Sequence, residues 1–166
     1  MRIVFIGASQ FGLRCLDRVS KVSGIEIAGI ITSKRRFTIS YAPEGVDNVL
    51  YADFGDFAKI SGVPHYVMQN VMTEPELLKH IKPWKPDLFV VVGWYHMIPR
   101  SVRDIAPAVG LHASLLPDYS GGAPLVWAMI NGESKTGITF FQFADGVDNG
   151  PIISQASTEI LPEDNI

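Results

Sequence analysis

Asp87-Leu88-Phe89-Val90-Val91-Val92-Gly93 is the stretch whose reading decides the fold. Its unbroken β-branched and aromatic run has the length of a strand, shows no polar face, and stops at a glycine. A strand with no polar face is covered on both sides, as in a parallel sheet flanked by helices. Ile3 to Ile6, ending at Gly7, has the same character in a shorter form. Leu13, Leu16 and Val19 then recur at helical spacing, and a second strand is expected over Ile25 to Thr32. Strand, glycine turn, helix and strand therefore alternate from the first residues, the pattern of an α/β domain.

Working outward, the turn Gly7-Ala8-Ser9-Gln10-Phe11-Gly12 begins like a dinucleotide-binding unit, but its glycines are five apart and the GxGxxG spacing is absent. No acidic residue stands clearly at the end of the second strand to take a ribose, so the turn reads as a simple bend of the backbone. Ser33 to Val49 is the least regular segment, holding Lys34-Arg35-Arg36 and Tyr41-Ala42-Pro43-Glu44-Gly45. Three adjacent cations read either as a solvated turn or as a loop that meets an anionic acceptor such as phosphate or RNA. Tyr51 to Ser61 has helical character, His65 to Met68 is a strand candidate, and Thr73 is expected to cap a helix opened by Pro75 and Glu76. Beyond Gly93, Trp94-Tyr95-His96-Met97-Ile98-Pro99 falls just past a strand's carboxyl end, where open α/β sheets bind ligands.

A short helix, a strand entering His112, the Ser120-Gly121-Gly122-Ala123-Pro124 turn, and a helix carrying Leu125, Val126, Met129 and Ile130 follow. Thr136 to Ala144 and Ile152 to Ile160 partly alternate apolar and polar residues, which predicts antiparallel strands added at one side of the sheet. Pro162-Glu163-Asp164 reads as the opening of a further helix. The predicted class is α/β: a doubly wound, mostly parallel, Rossmann-like sheet with antiparallel C-terminal strands.

At 47% hydrophobic and 19% charged, the 166 residues have the balance of a folded globular domain. A chain of this length buries roughly 70% of the surface it exposes when unfolded. A net charge of −3 argues against a broad nucleic-acid-binding face and leaves room for a local basic patch. The single cysteine, Cys15, excludes an internal disulfide and any multi-cysteine metal site, and its helical setting predicts core packing. Four histidines without HxH or HExxH spacing predict no metal site. The N-terminal apolar run is too short for a signal sequence or a membrane span, so a cytoplasmic protein without a membrane partner is expected.

Chemistry concentrates in two places. His112 stands where a predicted strand ends, in Leu111-His112-Ala113-Ser114-Leu115-Leu116-Pro117, and Asp148 lies in Asp145-Gly146-Val147-Asp148-Asn149-Gly150. Histidine titrates nearest neutrality, and an aspartate partner can hold its tautomer and its proton. Together they form a candidate acid/base pair.

These stretches, with Gly121-Gly122-Ala123-Pro124, Trp127-Ala128-Met129-Ile130-Asn131-Gly132 and Thr136-Gly137-Ile138-Thr139, resemble the catalytic domain of the 10-formyltetrahydrofolate-dependent formyltransferases. That group includes methionyl-tRNA formyltransferase, glycinamide ribonucleotide formyltransferase and the sugar N-formyltransferases. The opening Arg2-Ile3-Val4-Phe5-Ile6-Gly7 and the strand ending at Gly93 match as well, so the resemblance covers nearly the whole chain. It implies a catalytic domain over residues 1–166 that lacks its final helix or a C-terminal domain, with a homodimer or exposed apolar surface as the consequence.

The resemblance also implies the co-substrate, 10-formyltetrahydrofolate, without a metal. Trp94, Tyr95, His96 and Ile98 would border the pterin, together with the backbone around Phe143, Ala144, Asp145 and Val147. His112 and Asp148 match the family's catalytic pair, whereas Gly110 stands where the family usually carries a catalytic asparagine. A water, Asn149 or Ser114 could take over that asparagine's role; Ser114 otherwise braces the loop. Three functions follow: formyl transfer to an amine, hydrolysis of 10-formyltetrahydrofolate, or a weakly active folate-binding or interaction module. The hydrolase domain of 10-formyltetrahydrofolate dehydrogenase is similar in lacking the asparagine. The turn Asp118-Tyr119-Ser120 lacks the basic residues common in the tRNA branch, so an amino sugar competes with methionyl-tRNA as the acceptor.

Overall fold

The apolar runs become strands where both of their faces are covered. In the computed structural model, which describes residues 1–39, 42–69, 72 and 75–165, the chain forms two compact units, Met1–Ala108 and Val109–Ile166. In the first, β1 (Arg2–Ile6), β2 (Glu26–Ser33), β5 (His65–Met68) and β6 (Leu88–Val91) pair in parallel in the order β5-β2-β1-β6. Phe5 lies opposite Ile30 on one side and Val90 on the other. Ile3, Val4, Phe5, Ile6, Ile30, Ile31 and Phe89 have essentially no exposed surface. Helices α1 (Gln10–Ser20), α2 (Gly55–Ser61) and α3 (Pro75–Trp84) add Leu16, Ala58, Leu77 and Ile81 to this core.

The first βα turn is shaped by close packing. The Ser9 side chain caps α1 by accepting from Gly12 N at 3.1 Å. A Cβ at Gly7 or Gly12 would come within 2.6 or 2.5 Å of the Val92 carbonyl oxygen. Gly93, at φ +64, leaves room for no Cβ at all because the Ser9 hydroxyl fills that space. These glycines let two backbone segments touch.

Ser33 to Val49 is more regular than its composition predicts. Strands β3 (Arg36–Ile39) and β4 (Ala42–Asp47) form an antiparallel hairpin with Phe37 opposite Val46. The Arg36 guanidinium ties it, reaching Asp47 at 3.2 Å and the Glu44 carbonyl at 2.9 Å. Arg36 is thereby committed, while Lys34 and Arg35 stay exposed. Of the residues quoted there, Tyr41 lies outside the described residues, as does the expected helix cap Thr73.

Helix α2 starts at Gly55 rather than Tyr51, because Asp53 Oδ1 accepts from Gly55 N at 2.7 Å and holds a turn ahead of it. Cys15 is half-buried rather than fully in the core, and burial pushes its thiol pKa up.

The second unit is antiparallel. Strand β7 (Ala108–His112) pairs with β8 (Lys135–Gln142), which pairs with β9 (Ile152–Glu159). A short α4 (Arg100–Arg103) precedes β7, and α5 (Pro124–Ile130) lies between β7 and β8. On α5 only Ala128 is buried; Leu125, Val126 and Ile130 are exposed. The segment read as opening a helix at Pro162 forms a turn instead, with Asp164 Oδ2 accepting from Leu161 N at 2.9 Å. The fold class is the one expected, a mostly parallel Rossmann-like α/β fold with antiparallel C-terminal strands. Among the described residues no helix is long and apolar enough to cross a membrane.

Candidate active site

Strand β7 ends on His112, directly opposite Thr139 of β8. Thr139 is fully buried, and its hydroxyl organises the turn that follows the histidine. It donates to the Ser114 carbonyl at 2.7 Å, and accepts from Leu116 N at 3.0 Å and Gln155 Nε2 at 2.9 Å. Gln155 Nε2 also donates to the Leu116 carbonyl at 2.9 Å, and the Leu116–Pro117 peptide is cis. Ser114, also buried, donates from its hydroxyl to the Asp118 carbonyl at 2.6 Å. In this geometry Ser114 is engaged within the turn.

Two groups hold the His112 ring. Nε2 lies 2.8 Å from the Tyr119 carbonyl oxygen, and Nδ1 lies 3.3 Å from Asp148 Oδ2. A carbonyl can only accept, so Nε2 carries a hydrogen. Nδ1 faces the Asp148 carboxylate and donates to it whenever it carries a hydrogen. Both side chains are mostly buried, at 11% and 18% exposure, so the interaction is only partly screened by water.

Asp148 sits at φ +47 and its Oδ2 also accepts from Gly121 N at 2.9 Å. Aspartate tolerates the left-handed region better than most residues, and held strain of this kind clusters at functional sites. The loop carrying Asp148 is closed at its base by Gln142 N donating to the Pro151 carbonyl at 2.9 Å. Within it Phe143 and Ala144 are half-buried, Asp145 and Val147 are exposed, and Phe143 packs on Phe141 with ring centroids 4.8 Å apart.

Gly110 is buried in β7 opposite Phe141. Being two residues before His112 on one strand, it shares the histidine's face, so an amide side chain there would project beside the imidazole. Glycine supplies none. Asn149 is exposed, its side chain folded against Gly146.

The aromatic residues past β6 gather in the first unit. Phe37 of the β3–β4 hairpin stacks on Tyr95 and tilts against His96, both at 5.4 Å between centroids, and Trp94 meets His96 at 5.3 Å. The Tyr95 hydroxyl donates to Asn48 Oδ1 at 3.2 Å, and Asn48 Nδ2 donates to the Ala8 carbonyl at 3.0 Å. Ile98 is buried beneath. Trp94 Nε1 and His96 Nε2 are buried without a hydrogen-bond partner, and burial holds the His96 pKa below its usual value. Two orphaned polar atoms in one aromatic cluster suit a planar ligand with donors and acceptors on its edge. Among the described residues no three His, Cys, Asp or Glu side chains gather to hold a metal ion.

His112, Asp148 and Ser114 are thus brought together in the second unit, and Trp94, Tyr95, His96 and Ile98 in the first. Reading the sequence missed Phe37 and Asn48, and met Tyr119 and Thr139 only inside quoted stretches, without the roles they take here.

The fold and this pair define an α/β protein with a mostly buried histidine–aspartate pair at a strand end. The chain belongs to the formyl transferase family, which it matches across residues 1–166. It is 33% identical over 172 residues to the methionyl-tRNA formyltransferase of Trichlorobacter lovleyi, covering 99% of this chain and 51% of that protein. It is 36% identical over 177 residues to that of Flavobacterium psychrophilum, covering 100% and 51%. The chain therefore spans about half the length of these curated relatives. Its fold is similar to the phosphoribosylglycinamide formyltransferase of Bacillus halodurans, with a TM-score of 0.76 at 22% identity over 99% of this chain and 83% of that one. The glycinamide ribonucleotide transformylase 1 of Geobacillus kaustophilus matches with the same TM-score at 21% identity, over 99% and 85%. These proteins are named as enzymes; at such identities the structural likeness speaks for the fold.

Proposed function

We propose that residues 1–166 act as the catalytic domain of a formyltransferase that moves the formyl group of 10-formyltetrahydrofolate to an amine. The observation that carries this reading is the pairing of His112 with Asp148, Nδ1 to Oδ2 at 3.3 Å, in a mostly buried setting. An amine attacking the formyl carbon creates an oxyanion, and the departing folate nitrogen needs a proton. His112 serves both needs: its Nε2–H, shared with the Tyr119 carbonyl, donates to the developing charge, and the ring passes a proton to the leaving nitrogen while taking up the one the attacking amine loses. Asp148 keeps the ring oriented, as a carboxylate partner does in other acid/base sites. The pterin edge would be read by the unpartnered Trp94 Nε1 and His96 Nε2, with the buried Ile98 beneath them.

One observation favours hydrolysis as the second reading. Gly110 supplies no side-chain amide, and losing an oxyanion donor costs on the order of 10² to 10³ in rate. Water in place of the amine would then be the acceptor. Methionyl-tRNA is the acceptor the relatives' names suggest, and the exposed Lys34 and Arg35 favour an acceptor bearing phosphate. Asp118 in the following turn and the net charge of −3 favour a smaller amine such as an amino sugar.

Incubation with 10-formyltetrahydrofolate separates the readings. Formate released without an amine supports hydrolysis; silence until an amine is added supports transfer, and parallel reactions with methionyl-tRNA and amino sugars identify the acceptor. His112→Ala should reduce formyl consumption about a thousandfold, within the range ascribed to a positioned acid/base group, while folate binding persists. Unchanged turnover in that variant would overturn the mechanism. Gly110→Asn should raise transfer at least about tenfold if only the donor is missing.

A further inference from the structure

Tyr119 holds His112 by its backbone while its own side chain is held from elsewhere. Its carbonyl takes the Nε2 hydrogen of His112 at 2.8 Å. Its hydroxyl donates to Glu133 Oε1 at 2.6 Å and accepts from Asn131 Nδ2 at 3.2 Å. Asn131 and Glu133 lie just past α5, where Glu133 N donates to the Ala128 carbonyl at 3.0 Å and closes the helix end. The Tyr119 backbone stands at φ +55, a conformation that a bulky residue rarely adopts unless its surroundings impose it.

We infer that Tyr119, Asn131 and Glu133 form a strap that presses the Tyr119 carbonyl against His112 and thereby fixes which ring nitrogen faces Asp148. This is a positioning role, and it rests on the reading of His112 as the acid/base group. A carbonyl oxygen accepts only, so the tautomer protonated at Nδ1 alone is excluded for as long as the strap holds. A flipped ring would present carbon to the carbonyl and lose the bond. Without the strap, Tyr119 gains by relaxing out of the left-handed region, and the carbonyl leaves the ring as it does so. Among the described residues, the acidic groups in this arrangement are Asp148 on the ring itself, Glu133 on the Tyr119 hydroxyl, and Asp118, exposed beside Tyr119. The sequence stretches Asp118-Tyr119-Ser120 and Asn131-Gly132 thus have a joint task that neither shows alone.

The test uses the full chain labelled with ¹⁵N, following the ring nitrogens of His112 by NMR beside formyl turnover. The His112→Ala spectrum assigns the signal, and thermal melting shows that each variant is folded. Tyr119→Phe and Glu133→Ala should lose the protected Nε2–H signal and reduce kcat about fivefold with KM for the folate unchanged, the effect of one ordinary hydrogen bond. Glu133→Gln keeps an acceptor oxygen for the tyrosine hydroxyl and should restore both readouts. A wild-type Nε2–H signal in Tyr119→Phe and Glu133→Ala overturns the inference, whatever their turnover. So does loss of the signal in Glu133→Gln to the same degree as in Glu133→Ala. A strap-dependent signal in a wild-type protein that transfers no formyl group supports the strap and overturns the proposed function.

Discussion

Strands β1 and β2, in residues 1–108, carry runs with almost no exposed side chain, whereas every residue of β9, in residues 109–166, is exposed. The first unit builds its core from Ile3, Val4, Phe5, Ile30, Ile31 and Phe89, so apolar burial along parallel strands holds it. The second places its most constrained atoms around a hydroxyl, Thr139 Oγ1, which serves three hydrogen bonds at once. The difference separates two ways of fixing a backbone. Apolar burial is tolerant of direction and summed over many atoms; a hydroxyl hub is small, directional, and costly when one member is lost.

The sharpest way to break this contrast is to remove one element from each side. Phe89→Ala should cost about 3–5 kcal/mol of stability in denaturant titration, the usual result of emptying an aromatic core site. Thr139→Val keeps the shape but leaves Leu116 N and the Ser114 carbonyl unpaired, and should cost at least about 2 kcal/mol, at roughly 1–3 for each orphaned group. A neutral Thr139→Val would show that the second unit is not held by its hydroxyl.

A smaller effect belongs to pH. Burial holds the His96 ring below its usual pKa of 6.5, so as pH falls the unfolded chain takes up this proton before the folded one does. Stability is therefore full above the unfolded value and declines as pH drops through 6.5 towards the lower folded pKa. Denaturation midpoints on either side of that value should draw together in His96→Gln relative to the parent; an unaltered slope would mean that His96 is solvated. Smallest of all, Ile153→Ser on β9 should change stability by no more than about 0.5 kcal/mol, as surface substitutions do. A cost approaching that of Phe89→Ala would show that this face is covered in solution.

What could be read from the sequence follows the same division. The central strands of the first unit were legible because two-sided burial writes an unbroken apolar run such as Phe89-Val90-Val91. The antiparallel pair β8–β9 was legible more faintly, through partial alternation. His112 and Asp148 were legible by chemistry and motif, and they do meet. The β3–β4 hairpin was hidden, since Arg36, Glu44 and Asp47 read as loop residues until one sees that they tie it together. Asn48 was hidden for a different reason: its partners Ala8 and Tyr95 are 40 and 47 residues away, and no local pattern encodes a bond of that span. Tyr119 acts on His112 through its backbone, which any residue type possesses.

The contact between Ser9 and Gly93 couples two events that would otherwise be independent. The Ser9 hydroxyl caps α1 through Gly12 N and also fills the space where a residue 93 side chain would stand. A larger residue at 93 must displace that hydroxyl, and losing such a cap costs about 1 kcal/mol. Helix α1 and the loop bearing Trp94, Tyr95 and His96 are therefore mechanically geared. In a double-mutant cycle, positions 9 and 93 should behave as a single locus, and a library that varies one without the other will sample mostly frayed helices.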